Sequence, residues 1–402
     1  MSGTSLSKIF DLKGYILDRV EYRDDREILL HCHLKRKTMR FKSQSSKAVC
    51  AQRLRKIKHQ VFEGRLVWLM IAQRRFYFSK PDKRLWEKLP NVALKKQTTE
   101  SYRRNSIMAL KNSTYSYSSQ QRLASPMFSS RLVDELPELK FYWPEEITKI
   151  GLDGKNIGRR KNMFTLTDLD GKKLISALPP MSQRELINAI KSNVPLELRN
   201  AVKEVCIDMD KFMLSVVRQC FPDAEVVIDQ FHVIQAAIRN LDAFRIRIQK
   251  MQGVNLNFLK YLLAKSPFEL DRHQRKLLER TFEKIPRLKI GYGIIQELRK
   301  VYRQRDIKAA KKQLESTKRL CLESKIPDML ELAGMLKRWD EEILNYHLSK
   351  TTNAFTEGIH NRFETIKRNH FGVRNYTRFV KRLMYIFLPA AVFMNLLSKV
   401  VG

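Results

Sequence analysis

The sequence predicts an α/β fold, a mixed sheet interrupted by an all-α insertion and preceded by a small basic region. Three observations predict it. Residues 147–229 contain five short apolar runs of strand length, the last three separated by helix-like segments. Residues 235–347 contain no comparable run, and their apolar residues recur at helical spacing. A further helix with a clear start follows at 354–369.

Taken in order, Leu66-Val67-Trp68-Leu69-Met70-Ile71 reads as a buried strand and Arg75-Phe76-Tyr77-Phe78 as another. Dense positive charge surrounds them, from Lys35-Arg36-Lys37 to Lys56-Ile57-Lys58, and suits a phosphate-contacting surface. Residues 112–119 are a polar linker by composition. Residues 120–136 then fit two short helices joined by a turn, as in a helix-turn-helix. From 145 the texture changes. Ile147 to Asp153 is a strand ending in an acid, 162–167 and 173–178 are two more, and Asp168-Leu169-Asp170-Gly171 turns between them. Ser182 is a plausible N-cap for a helix over 183–190. Strand 202–208 again ends in an acid, helix 211–220 closes at Phe221-Pro222, and 225–229 is the fifth strand. Hairpin links come first and crossovers afterwards, which makes the sheet mixed. Residues 351–353 start the next helix, Phe371-Gly372-Val373 stops it, and a last apolar helix completes the chain. The domains expected are 1–100, a basic N-terminal region; 101–144, a linker with the helix-turn-helix; 145–234, the first part of the sheet domain; 235–347, the helical insertion; and 348–402, its second part.

With 402 residues, 43% hydrophobic and 30% charged, the chain has the composition of a globular protein of two or three domains. Lys and Arg number 77 against 42 Asp and Glu, a formal excess of +35. Small-molecule chemistry does not need such a charge, and a polyanion explains it, nucleic acid before membrane. The five cysteines are widely spaced without a CxxC, which argues against a disulfide framework and for a reducing cytosol. The N-terminus lacks the apolar core of a secretory signal, and the apolar window 383–397 is too short to span a bilayer and contains Pro389. A soluble, basic, intracellular protein with no membrane partner is expected.

Asp153 and Asp208 sit where apolar strands end, the edge at which open α/β sheets handle ligands. Carboxylates on neighbouring strands can share hard cations such as Mg²⁺, and a pair of such ions can clamp a phosphodiester displacement. Asp229 and His232, three apart, follow a strand and start a helix. They read either as a hydrogen-bonded pair beside an active site or as a helix cap and a satisfied histidine.

Three runs bring a specific resemblance: Ile150-Gly151-Leu152-Asp153; Cys206-Ile207-Asp208-Met209-Asp210 continuing to Asp229-Gln230-Phe231-His232-Val233; and Asn353-Ala354-Phe355-Thr356-Glu357-Gly358 continuing to Ile366-Lys367-Arg368-Asn369. With these the chain resembles bacterial insertion-sequence transposases of the DDE class, ISL-three family. The resemblance implies a ribonuclease-H-like core split by a helical insertion. It implies that Asp153, Asp208 and Glu357 bind two Mg²⁺ ions, for which Mn²⁺ can substitute, with Asp229 and His232 in support and Lys367 and Arg368 facing DNA. The activity implied is cleavage at terminal inverted repeats and strand transfer into target DNA, by a homo-oligomer on double-stranded DNA in the bacterial cytoplasm and nucleoid. A catalytically inactive, transposase-derived DNA-binding protein is the alternative. Family members carry an N-terminal module with paired cysteines. Here the comparable stretch is His31-Cys32-His33, and Cys32 and Cys50 cannot make a four-cysteine site; His33 and His59 could complete one in principle, but the region reads as a degenerate zinc module and no stoichiometric zinc is expected.

Overall fold

The computed structural model describes residues 8–23, 26–80, 82–92, 97–111, 133–134, 136–144, 146–158, 162–369 and 375–401. It divides into two compact units. One is formed by residues up to 139 together with those from 364 onward, the other by 140–363.

In the first unit, β1 (Tyr15–Arg23), β2 (Glu27–Leu34), β5 (Val49–Phe62), β6 (Arg65–Phe78) and β7 (Lys83–Trp86) form a sheet. Its order is β1-β2-β6-β5, with β7 also paired to β6. β3 (Met39–Phe41) and β4 (Gln44–Ser46) form a separate small hairpin. The two apolar runs expected as separate strands are one strand, β6. Ala72-Gln73-Arg74 between them does not break it, because Gln73 is held by Glu87 and by Arg53. Glu63 and Gly64 turn β5 into β6, both at positive φ (47° and 76°), the two-residue turn that matches strand twist. Val67, Leu69 and Ile71 alternate inward against Ile28, Leu30, Cys32 and Ile57. That alternation separates the candidate zinc residues. Cys32 is packed in the apolar core, whereas His31 and His33 contact Glu21 (2.9 Å) and Asp18 (2.7 Å). His59 is buried, close to the Phe10 carbonyl and 3.1 Å from the Thr99 hydroxyl, and burial pulls its pKa down.

Helix α1 (Glu100–Lys111) packs on β5. The expected helix-turn-helix at 120–136 and the stop at 371–373 lie outside the described residues, apart from residues 133, 134 and 136.

The second unit is built on a five-stranded sheet of order β10-β9-β8-β11-β12. β8 (Lys149–Asn156), β9 (Asn162–Asp168) and β10 (Lys173–Leu178) run antiparallel, and β11 (Glu204–Ile207) and β12 (Glu225–Ile228) continue parallel to β8. The sheet is therefore mixed. Helices α2 (Gln183–Asn193), α3 (Leu196–Asn200) and α4 (Lys211–Cys220) make the crossovers. Ser182 caps α2 in a reciprocal box with Glu185, and Asp210 caps α4. β11 is buried along its whole length, as a strand covered on both faces must be. After α5 (Gln230–Gln252) the chain is helical: α6 (Leu259–Ala264), α7 (Arg272–Lys284), α8 (Pro286–Val301), α9 (Ile307–Glu323), α10 (Pro327–Arg338), α11 (Asp340–Leu344) and α12 (Tyr346–Ser349). Their apolar faces join one core with the sheet, through residues such as Leu241, Ile295, Leu314 and Leu336.

Helix α13 (Ala354–Asn369) follows. In the first unit the expected last helix is two, α14 (Tyr376–Phe387) and α15 (Ala390–Val401), bent by 120° at Leu388-Pro389 because proline cannot continue the hydrogen-bond ladder. Both pack on α1. Among the described residues no single helix is long and apolar enough to cross a membrane.

Candidate functional site

The parallel register places acids side by side. Gly151 of β8 pairs with Cys206 of β11, and Ile207 of β11 with Ile228 of β12. Two residues beyond the first pair, Asp153 comes level with Asp208; one residue beyond the second, Asp208 comes level with Asp229. Three neighbouring strands thus present a carboxylate at one level. Asp153 does not end its strand, as the sequence suggested. β8 runs on to Asn156, because Gly154-Lys155-Asn156 pairs with Asn162-Met163-Phe164 of β9.

Each acid has a different environment. Asp153 is buried, and burial alone would push its carboxyl up. The His360 ring, with Nδ1 3.2 Å from Asp153 Oδ2, and the Gly154 N–H, 2.6 Å from Oδ1, outweigh it and hold the pKa low. His360 Nε2 lies 3.0 Å from the Thr165 hydroxyl, and Thr165 is the residue opposite Asp153 on β9. The imidazole is therefore clamped between two strands. Asp208 is pushed up, first by burial and then by the charge of Asp153, against the pull of His232. His232 Nε2 stands 3.0 Å from Asp208 Oδ1 and 3.3 Å from Glu357 Oε1, and Asp208 raises its pKa. The alignment with Asp208 is too poor for a hydrogen bond, so Asp208 Oδ1 and His232 Nε2 are buried atoms with an ion-pair contact only.

Asp229 is a helix cap, as one reading of its motif had it, and holds a second element as well. One oxygen caps α5 through the Phe231 N–H (2.7 Å), and the other accepts the Asn353 N–H (2.5 Å) at the start of α13. A single buried carboxylate thereby ties together the two helices that carry His232 and Glu357. The segment entering α13 is docked a second time, by the Ser349 and Thr351 hydroxyls on Glu204 of β11. Thr356 of the first turn of α13 meets the Thr167 hydroxyl at 2.6 Å. Glu357 is in that same turn, its N–H bonded to the Asn353 carbonyl.

The structure brings Asp153, Asp208, Glu357, Asp229 and His232 into one neighbourhood. Lys367 and Arg368 lie in the last turn of α13, where Lys367 pairs with Glu364 at 2.7 Å and Arg368 is exposed. His360 was not legible as a site residue. Its only sequence signal is position, three residues after Glu357 and so on the same helix face.

His360→Ala should leave Asp153 buried with the Gly154 N–H as its remaining partner among the described residues. The expected cost is about 1–3 kcal/mol at neutral pH, read by urea or thermal unfolding. Asp153 has a depressed folded pKa, so this stabilisation is present above the ordinary Asp value and is lost as pH falls through the folded value. The gap between variant and wild type should narrow in acid. A gap that is constant with pH would mean that packing, and not the carboxylate contact, is what the histidine supplies.

The donor set is oxygen-rich, the chemistry that hard divalent cations prefer. Among the described residues no three His, Cys, Asp or Glu side chains converge as a preformed cage. His232 instead stands between Asp208 and Glu357. The buried, unaligned Asp208 oxygen and the carboxylate set fit a cation that would take over the screening His232 now provides.

The profile of the ISL3-type DDE family, described as transposase, matches residues 150–383, more than half of the chain, a stretch that includes Asp153, Asp208 and Glu357. The chain is also similar to the transposase for insertion sequence element IS1001 of Bordetella parapertussis. The two are 24% identical over 216 residues, which cover 52% of this chain and 53% of that protein. The chain therefore spans about half the length of the curated relative it matches. The three motif runs, the strand order that aligns their acids and the family match agree, and the chain belongs to the ISL3 family of DDE transposases.

Proposed function

We propose that this transposase binds the terminal inverted repeats of an insertion sequence and carries out Mg²⁺-dependent cleavage and strand transfer on a ribonuclease-H-like core. The observation that carries the reading is the placement of Asp153 and Asp208 on adjacent strands, with Glu357 brought beside Asp208 through His232. These three carboxylates would hold two divalent ions, Mg²⁺ or Mn²⁺. When bound, the ions would supply Lewis-acid activation of water, then of the released 3′-hydroxyl, and charge neutralisation at the scissile phosphate.

The protein's own contribution is placement. Asp229 and Glu204 fix the start of α13 against the sheet, so that Glu357 projects from an anchored first turn. His360 keeps the Asp153 carboxylate in one orientation. His232 screens the repulsion between Asp208 and Glu357. Lys367 and Arg368 would face DNA. Positioning of this kind is most of what phosphoryl transfer asks of a protein.

The test is a labelled duplex carrying one element end, incubated with the full chain and Mg²⁺ or EDTA. Cleavage that needs the metal is expected. On the same duplex the formal charge of +35 predicts strongly salt-dependent binding. A slope of log K against log salt near −5 would correspond to about six neutralised phosphates. A slope near zero would show that the charge serves another partner. Binding without any cleavage, in either metal, would turn the reading to an inactive transposase-derived DNA-binding protein.

A further inference from the structure

The N-terminal sheet separates its charges by face. Alternation along β6 puts Trp68, Met70 and Arg74 on one side and Leu69, Ile71, Gln73 and Arg75 on the other. The first side holds Glu21, Glu27 and the Glu87 carboxylate, which pair with Arg19 and Arg23, with Lys56 and with Arg74. The second side is apolar core as far as Ile71, the last β6 residue to pair with β2. Past it the same face turns polar. Arg53 of β5 stands opposite Gln73, and Trp86 of β7 stands opposite Arg75.

These four side chains form one cluster. The Arg53 guanidinium lies 4.3 Å from the centre of the Trp86 ring, and that of Arg75 lies 5.8 Å from the same centre. Arg53 Nε donates to Gln73 Oε1 at 2.9 Å. Gln73 is 6% exposed and is itself fixed, its Nε2 donating to the Glu87 carbonyl at 2.7 Å. The two guanidiniums are thus held by groups that carry no charge. Among the described residues neither is in an ion pair. Glu87, next to Trp86 in the chain, is turned to the other face, with Oε2 2.8 Å from Arg74 Nη2. Arg75 Nε is buried and has no acceptor among the described residues. Two like charges held at one ring on neutral partners repel each other until an anion joins them. A stacked guanidinium keeps its outer edge for bonding, and that planar fork matches the oxygens of a phosphate.

We propose that Arg53 and Arg75 form a site that grips a backbone phosphate of double-stranded DNA, with Trp86 and Gln73 holding the two guanidiniums in place. The inference rests on the DNA-processing reading and deepens it, since it says which cations of the +35 excess meet the duplex in the N-terminal unit.

The experiment is a salt titration of the full-length chain on two duplexes of equal length, one carrying an element end and one of unrelated sequence. Arg53→Gln with Arg75→Gln should make the slope of log K against log salt shallower by about one on both duplexes. Arg19→Gln with Arg23→Gln removes the same charge from the opposite face, where both arginines belong to ion pairs, and should move the slope by less than half as much. Phenylglyoxal, which modifies accessible arginines, gives a reading on wild type that misfolding of a variant cannot confuse. Bound duplex should protect Arg53 and Arg75 and leave Arg19 and Arg23 reactive. Equal slope losses in the two double variants would overturn the proposal, since net charge alone would then matter. So would Arg53 and Arg75 that react as fast with DNA bound as without it. A loss confined to the element-end duplex would also overturn it, by making the two arginines readers of base edges. If wild type bound neither duplex in a salt-dependent way, the DNA reading itself would fall. If it did and the Arg53 and Arg75 variant matched it, this site alone would.

Discussion

Glu357→Gln is expected to abolish cleavage of element ends, by at least about a thousandfold, or about 4 kcal/mol of transition-state stabilisation. DNA affinity should stay the same or rise slightly, because a negative charge beside the DNA is removed. Asp153→Asn and Asp208→Asn should match it, since carboxylates that act as one unit lose their function together. Glu364→Gln is the informative control. Glu357 and Glu364 are seven residues apart on α13, nearly on one helix face but about 10 Å apart along the axis. Oxygen ligands must lie about 2.1 Å from a Mg²⁺ ion, so one ion pair cannot readily use both. Glu357 meets His232 at 3.3 Å, whereas Glu364 pairs with Lys367 at 2.7 Å. Glu364→Gln should therefore keep most activity. End cleavage and gel shift on the same variants, side by side, decide it. A dead Glu364→Gln with an active Glu357→Gln would mean that the motif has been aligned one turn-pair out of register.

What was legible in the sequence follows from burial. The core strands are buried on both faces or nearly so, and they read as continuous apolar runs, β11 being Glu-Val-Cys-Ile and β12 Glu-Val-Val-Ile. Their helices carry local caps, Ser182, Asp210 and Asp229, whose signals need no tertiary partner. The N-terminal sheet has the opposite character. β5 exposes Arg53, Leu54 and Lys56 and buries only Ile57 and His59 fully, so its sequence reads as basic surface and not as a strand, although it pairs with β6 along its length. The polar end of β8 was hidden in the same way, since a Gly-Lys-Asn run looks like a turn until its partner strand is known. The meaning of Asp229 could not be read locally, because its second partner, Asn353, lies 124 residues on. Periodicity on α13 could not separate Glu357 from Glu364, and it was the family resemblance that chose Glu357.

Gly151→Ala should be among the most damaging single changes outside the acids. A Cβ at 151 would overlap three groups at once, the Thr356 hydroxyl, the Asn353 side-chain oxygen and the Thr167 hydroxyl. None can yield cheaply. Asn353 and Thr356 are completely buried at the start of α13, and Thr167 and Thr356 hold each other at 2.6 Å. The glycine is needed for close approach, letting the helix start sit directly on the central strand. Overpacking at such a contact costs about 1–3 kcal/mol, which thermal unfolding would register. The loss of cleavage should be larger than that instability explains. Relief of the clash must shift α13, and a misplacement of about 1 Å at a reacting group can cost on the order of a hundredfold. Thr356→Ala offers a way to separate the causes. It removes the nearest clashing atom, while Thr167 can still donate to the Gly151 carbonyl at 3.4 Å. If steric overlap is the mechanism, the double variant should be more stable than the two single losses predict, by roughly 0.5–1 kcal/mol or more of coupling. If Gly151→Ala melts and cuts like wild type, α13 does not rest on β8 at this point, and the placement of Glu357 has to be explained by Asp229 and Glu204 alone.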